Sequence, residues 1–117
     1  EKILIHEIEA LVKDKKITGI FVSTSKFVPI VARVLQDINR NDIRLIGYDM
    51  LQENIKYLKT GWVRFLINQN PKRQVFLGIS HMANHLLFKK DVPCTELFPL
   101  EVITQQNIES YIGSGIH

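Results

Sequence analysis

Four polar stretches of this sequence carry side chains that could do chemistry. Ser23, Thr24 and Ser25 follow the apolar run "GIFV", Asp49 follows "IRLIGY", Asn68 and Gln69 follow "VRFLI", and His81 and His85 stand four residues apart in "SHMANHL". A lone carboxylate after an apolar run suits four tasks: catalytic acid, phosphate acceptor, cap of a following helix, or clamp on ligand hydroxyls. Thr24, Ser25 and Gln69 narrow the choice. Hydroxyl, carboxylate and carboxamide groups supply donors and acceptors, but no nucleophile is paired with a base. Such a set suits a neutral polyol such as a sugar, whose hydroxyls each give and accept a hydrogen bond. Each position also has an ordinary structural use. Asp49 could cap a helix that begins near residue 51, and Thr24 or Ser25 one that begins at residue 27. Gln69 has less of a structural excuse, because Asn70 already stands at the cap position before Pro71.

The remaining candidates are weaker. His81 and His85 have the spacing of two metal ligands on one helix face, but there is no HExxH motif and no third ligand, so they read as a solvated face. Cys94 is the single cysteine and lies in a segment without a nucleophile signature. The run "GSG" at residues 113 to 115 opens no helix and follows no strand, so it is not a phosphate loop. Tyr48 and Trp62 could stack on a sugar face; Trp62, just past Gly61, reads rather as packing at the other end of the sheet. The expectation is no catalytic residue, no metal and no cofactor.

The elements that position these groups follow from periodicity. Leu4, Ile8, Leu11 and Val12 recur at helical spacing, predicting a helix over residues 3 to 16. "ITGIFVS" reads as a buried strand rich in β-branched and aromatic residues. Val28, Val31, Ala32, Leu35 and Ile38 mark a second helix, closed by the turn "NRND". "IRLIGY" is a second strand, and a short helix with Ile55 and Leu58 ends at Gly61, a C′ glycine. "VRFLI" is a third strand. A fourth helix starts at Pro71, runs to about residue 88 and carries Phe76, Ile79, Ala83 and Leu86. "CTELFPLEVIT" contains a last strand, an edge one because Pro99 cannot donate to a ladder; "YIGSGIH" reads as a frayed end. Alternating helices and continuous apolar strands predict an α/β domain with a parallel sheet covered on both faces. Ligands of such sheets bind beyond the carboxyl ends of the strands, where Ser23, Thr24, Ser25, Asp49 and Gln69 all fall.

Composition sets the class. The 117 residues are 45% apolar and 23% charged, as in an ordinary folded domain. The net charge of +3 is scattered, with no stripe of basic and aromatic residues, so this segment is not expected to bind nucleic acid itself. One cysteine excludes a disulfide framework and points to a reducing compartment. No apolar stretch approaches the about 20 residues that cross a bilayer, so no membrane contact is expected. The sequence opens on Glu1 and runs at once into an amphipathic pattern, as the back part of a longer protein would.

The ordered set "GIFVSTSKFVPIVARVLQD", "IRLIGYDMLQENIKYLKTG" and "WVRFLINQNPKRQVFLGI" resembles the second half of the lactose-repressor-type (LacI/GalR) regulators and their periplasmic sugar-binding relatives. The resemblance runs from about residue 11 to 104 and is sharpest at "IGYD" and "FLINQNPKRQ". It implies a parallel, doubly wound lobe of the periplasmic-binding-protein type, a fragment of a two-lobed domain. Residues 1–70 would form the C-terminal lobe, 71–104 a crossover helix and strand of the other lobe, and 105–117 a tail. By the same resemblance Asp49 binds ligand hydroxyls and Gln69 lies near the hinge. Thr24 and Ser25 take the place of the family's usual Asn-Asp pair, which contacts ligand or caps the helix.

The implied function is carbohydrate sensing by a cytoplasmic transcription regulator, without catalysis. DNA would be contacted only through a helix-turn-helix outside this sequence. The alternative is a lobe of a periplasmic solute-binding protein. A phosphotransfer receiver is a third reading, disfavoured because "VSTSK" supplies no acidic pair to hold Mg²⁺. Phe76, Leu77, Ile79, Leu86 and Leu87, with the segment from Leu97 to Ile103, need apolar cover. A homodimer or higher oligomer is therefore expected.

Overall fold

The computed structural model describes residues 2–112. The element order is α1 (Lys2–Val12), β1 (Gly19–Phe21), a 3-10 turn (Ser25–Phe27), α2 (Val28–Asp37), β2 (Arg44–Tyr48), α3 (Gln52–Thr60), β3 (Phe65–Asn68), α4 (Pro71–Phe88), β4 (Glu101–Ile103) and α5 (Ile108–Ile112). The expected α/β class with a largely parallel sheet is present. The four strands lie in the order β1-β2-β3-β4. β1, β2 and β3 are parallel, and β4 is antiparallel to β3.

The register sorts the side chains onto two faces. Ile20 aligns with Leu45, Gly47 with Leu66, Leu66 with Ile103 and Asn68 with Glu101; together they form one face. Leu45, Leu66 and Ile103 there are fully buried under Val28, Val31, Ala32 and Leu35 of α2 and Leu58 of α3. Burying side chains of this size contributes ~1.5–3 kcal/mol each. Gly47 is required at its place, since a Cβ there would land inside the Val28 side chain. The glycine of "IGYD" thus lets α2 lie close on the sheet beside the carboxylate it precedes.

The cover expected on both faces is present on one. Two successive crossovers, β1 to β2 and β2 to β3, step the same way across the sheet. Right-handed connections stepping in one direction put their helices on one side. The opposite face carries Phe21, Ile46 and Phe65 in one row and Tyr48, Ile67 and Val102 in the next. Phe21 and Val102 remain more than half exposed there, at 56% and 51%.

β4 corrects the expectation that the last strand leaves with the crossover helix. Asn68, the end of β3, pairs with Glu101, the start of β4. The chain departs from that end of the sheet through α4 and comes back to the same end, so its next strand must run antiparallel. β4 is an edge strand, as expected. α4 itself buries no residue. The radius of gyration is 18.1 Å, against ~13 Å for a compact chain of this length, and the longest dimension is 59 Å.

The last segment also differs from its reading. Tyr111 and Ile112, the start of the expected frayed end, instead close α5, with Ile108 buried and Tyr111 and Ile112 against the core. The Tyr111 hydroxyl hydrogen-bonds Glu101, and that bond together with desolvation holds the phenol above its ordinary pKa. Residues 113–117, including "GSG", lie outside the described residues.

Candidate functional site

The carboxyl ends of β1, β2 and β3 meet at one rim, as parallel pairing demands. Asp49 leaves β2 with its N–H still donating to Ile67 O at 2.9 Å, and then turns with φ 67°. This left-handed conformation is uncommon for a residue with a side chain, though Asp tolerates it better than most. Its Oδ1 accepts a hydrogen bond from Gln69 Nε2 at 3.4 Å across the ends of β2 and β3. Asp49 and Gln69, twenty residues apart in sequence, are thereby brought together. The Gln69 carbonyl accepts from Gln74 Nε2 at 2.6 Å, which ties the rim to the first turn of α4.

Capping accounts for little of this. α3 begins after Leu51, which makes no side-chain cap bond, and Asp49 lies two residues before that position. Thr24 stands before the 3-10 turn in extended conformation, again with no side-chain cap bond. Thr24 is exposed and Ser25 half-buried. Asn70 does cap α4, accepting from Arg73 N–H at 3.4 Å, as expected. Asp49, Thr24, Ser25 and Gln69 therefore have side-chain polar groups largely unspent on helix starts.

Two neighbours were missed or undervalued by sequence reasoning. Asn68 belongs to the rim stretch but turns inward and is buried, donating to Glu101 Oε1 at 3.4 Å and accepting from Asn70 N–H at 3.2 Å. Asn54, on α3, is fully buried; its Nδ2 lies 3.3 Å from Ser25 O, 3.1 Å from Tyr48 O and 3.2 Å from Asp49 O. Its signal was present in the sequence: Asn54 is four residues before Leu58, an amide on the apolar stripe of a short helix. Tyr48 packs edge-on against Phe21, with ring centroids 5.6 Å apart, on the open sheet face. Trp62 is half-buried against the core at the opposite end of β3 from Gln69, where it was expected.

The histidines separate. His81 Nε2 pairs with Glu96 Oε2 at 2.9 Å, whereas His85 Nδ1 faces the Lys90 carbonyl at 3.3 Å. Among the described residues no three His, Cys, Asp or Glu side chains form a group that could hold a metal ion. His81 and Glu96 instead close a concavity of about 430 Å³ between α4 and residues 93–100, which Gln69, Gln74 and Phe98 also line. No helix among the described residues is long and apolar enough to cross a membrane.

Comparison with known proteins agrees with this fold. The sequence profile described as "Periplasmic binding protein domain" matches residues 6–90. No curated protein sequence matches the chain. Among solved structures, a protein of Bacteroides fragilis named as a candidate LacI transcriptional regulator is 36% identical, with a TM-score of 0.80 over 92% of this chain and 36% of its own. A carbohydrate transporter solute-binding protein of Agrobacterium radiobacter, in complex with D-arabinose, is 22% identical with a TM-score of 0.82 over 97% of this chain and 39% of its own. A periplasmic solute-binding protein of an ABC transporter from Actinobacillus succinogenes, with bound D-allose, is 22% identical with a TM-score of 0.80, covering 92% and 38%. The chain thus spans under two fifths of the length of each of these proteins. With the profile match spanning most of the sequence and the same lobe recurring in these structures, the chain belongs to the periplasmic binding protein domain family.

Proposed function

We propose that this chain is the carbohydrate-binding lobe of a cytoplasmic LacI-type transcription regulator, binding its ligand at the rim formed by Asp49, Gln69, Thr24 and Ser25. The Asp49–Gln69 pair carries the reading. A carboxylate held in a left-handed turn beside a carboxamide offers acceptors and donors spaced for vicinal hydroxyls, and neither group is needed to cap a helix. D-arabinose and D-allose in the two solute-binding proteins, and D-fucose in another from Agrobacterium vitis (19% identical, TM-score 0.80), are all monosaccharides. The regulator assignment rests on the 36% identity to the Bacteroides fragilis protein, against 22% for the two solute-binding proteins.

In this reading the chain performs no chemistry on its ligand. A sugar held between two lobes favours the closed arrangement, and that preference biases attached DNA-binding heads. Differential affinity of this kind typically couples two sites by ~1–3 kcal/mol.

Calorimetry with D-arabinose, D-allose and D-fucose tests the rim. Asp49→Asn keeps the size and the tolerance for positive φ but removes the charge. It should weaken sugar binding by ~1.5–3 kcal/mol, the range for hydrogen bonds to charged groups. Unchanged affinity in the variant would remove Asp49 from the site. The regulator reading has its own check: in the full-length protein, bound sugar should alter affinity for operator DNA by ~5–150-fold. Sugar binding with no DNA binding would move the chain to the solute-binding proteins.

A further inference from the structure

Asn54 is the least expected polar residue in the molecule. It is completely buried, and its Oδ1 has no hydrogen-bond partner among the described residues. A buried polar side chain with one end unsatisfied needs a reason to be there. The reason lies at the other end. Helical side chains point toward the helix N-terminus, and Asn54 occupies the third position of α3, so its carboxamide reaches back past the helix start. There it meets three main-chain carbonyls, those of Ser25, Tyr48 and Asp49. Its two N–H hydrogens are shared among these three acceptors, all between 3.1 and 3.3 Å away. Turning the amide over would set Oδ1 against the same three oxygens, so the donors fix its orientation.

Those carbonyls belong to two of the three loops that form the rim. Ser25 follows β1, and Tyr48 and Asp49 close β2. Asn54 thus donates to both loops from one carboxamide. Asp49 adopts its left-handed turn at the point where Asn54 takes hold of its carbonyl.

We infer that Asn54 is a positioning residue: it clamps the loop after β1 to the turn after β2 and holds Asp49 in the conformation that presents its carboxylate to ligand. The inference rests on the reading of Asp49 as a sugar-binding group, but its structural half can be measured without any sugar. A helix that merely needed filling at this place would accept an apolar residue of the same size, with no effect on the rim.

The test compares Asn54→Leu with the natural protein, on the full chain. In the NMR spectrum, a positive φ at Asp49 brings its HN and Hα close and gives a strong intraresidue cross-peak. Asn54→Leu should lose that signature while the amide signals of β2 and β3 stay in place. An unchanged Asp49 signature overturns the proposal. Sugar affinity, measured with D-arabinose, D-allose and D-fucose, should fall about tenfold or more in Asn54→Leu. The same substitution in an Asp49→Asn background should cost little further, because Asn54 acts through Asp49. Equal losses in both backgrounds overturn the positioning role, since a general packing defect would not depend on the residue at 49. Should none of the three sugars bind the natural protein, the ligand reading fails for these sugars while the NMR comparison still decides the role of Asn54. Should Asn54→Leu not fold, the natural protein decides: slow solvent exchange of the Asn54 carboxamide protons, with cross-peaks to Ser25 and Asp49, supports the clamp, and rapid exchange overturns it.

Discussion

Asp49 and Gly47 are two residues apart, and each constrains the other. Gly47 lies under Val28 of α2, so its missing side chain admits that residue. Tyr48 then turns to the open face, and Asp49 leaves the strand with φ 67°. Restoring a methyl group at residue 47 would drive it into Val28 and push α2 off the sheet. Gly47→Ala should therefore destabilise the fold by ~1–3 kcal/mol, the usual cost of overpacking a core, as read from the midpoint of denaturant unfolding. A midpoint unchanged from the natural chain would mean that α2 moves away freely. Because α2 and the loop before it carry Thr24 and Ser25, the same variant should also loosen the rim. His81 and His85 teach the converse lesson: correct spacing on one helix does not make two groups converge, because one pairs with Glu96 and the other with a carbonyl.

Among the elements, α1 packs on the core through Ile5, Ile8 and Val12, and one guanidinium adds polar anchors at its end. Arg40, just after α2, donates to the carbonyls of Val12 and Ile17, and its remaining N–H groups hold Asp42 in two bonds of 3.0 Å. One side chain thus gathers the end of α1, the entry to β1 and the turn before β2. The hydrogen bonds from Arg40 hold the Asp42 carboxyl below its ordinary pKa. A depressed carboxyl pKa in the fold means that the unfolded chain takes up the proton first on acidification. The contribution is therefore complete above the ordinary Asp value of ~3.9 and is lost as pH falls through the lower folded value. Thermal unfolding followed from pH 7 to pH 2 should show a steeper acid loss in the natural chain than in Asp42→Asn. Parallel pH profiles for the two would show that the carboxylate contributes nothing. The third element-scale fact is β4, whose place in the sheet follows from the chain returning to the end of β3 that it left.

Over the whole molecule, apolar surface is unevenly covered. The helix side of the sheet is closed, but the other side exposes Phe21 and Val102, and α4 exposes Val75, Phe76, Ile79, Met82 and Leu86. Patches of this kind mark places where something else packs. With these surfaces open, the chain in isolation should associate with itself. Light scattering at micromolar concentration should give a mass at least twice 13.5 kDa. A stable 13.5 kDa monomer would show that these residues tolerate water, and the oligomer expectation would fall.

Much of this was legible before folding was considered. Local signals located the helices from Lys2, Val28 and Pro71, the C′ glycine Gly61 and the three parallel strands, because helix and strand periods and caps act over a few residues; the first helix ends at Val12 rather than residue 16. The rim candidates were legible too, since polar residues after apolar strands must gather where parallel strands end. What the sequence could not decide was every relation between distant segments. Asp49 read as a cap or a clamp from its spacing, and its turn at φ 67° and its bond from Gln69 exist only in the folded chain. α5 was lost in a polar tail, because its five residues are too short to be helical without Ile108 and Tyr111 docking on the core. Asn54 looked like one more polar residue on a short helix. Only tertiary packing made it a buried donor to two loops, because its acceptors lie 29 and five or six residues away and meet solely in the folded chain.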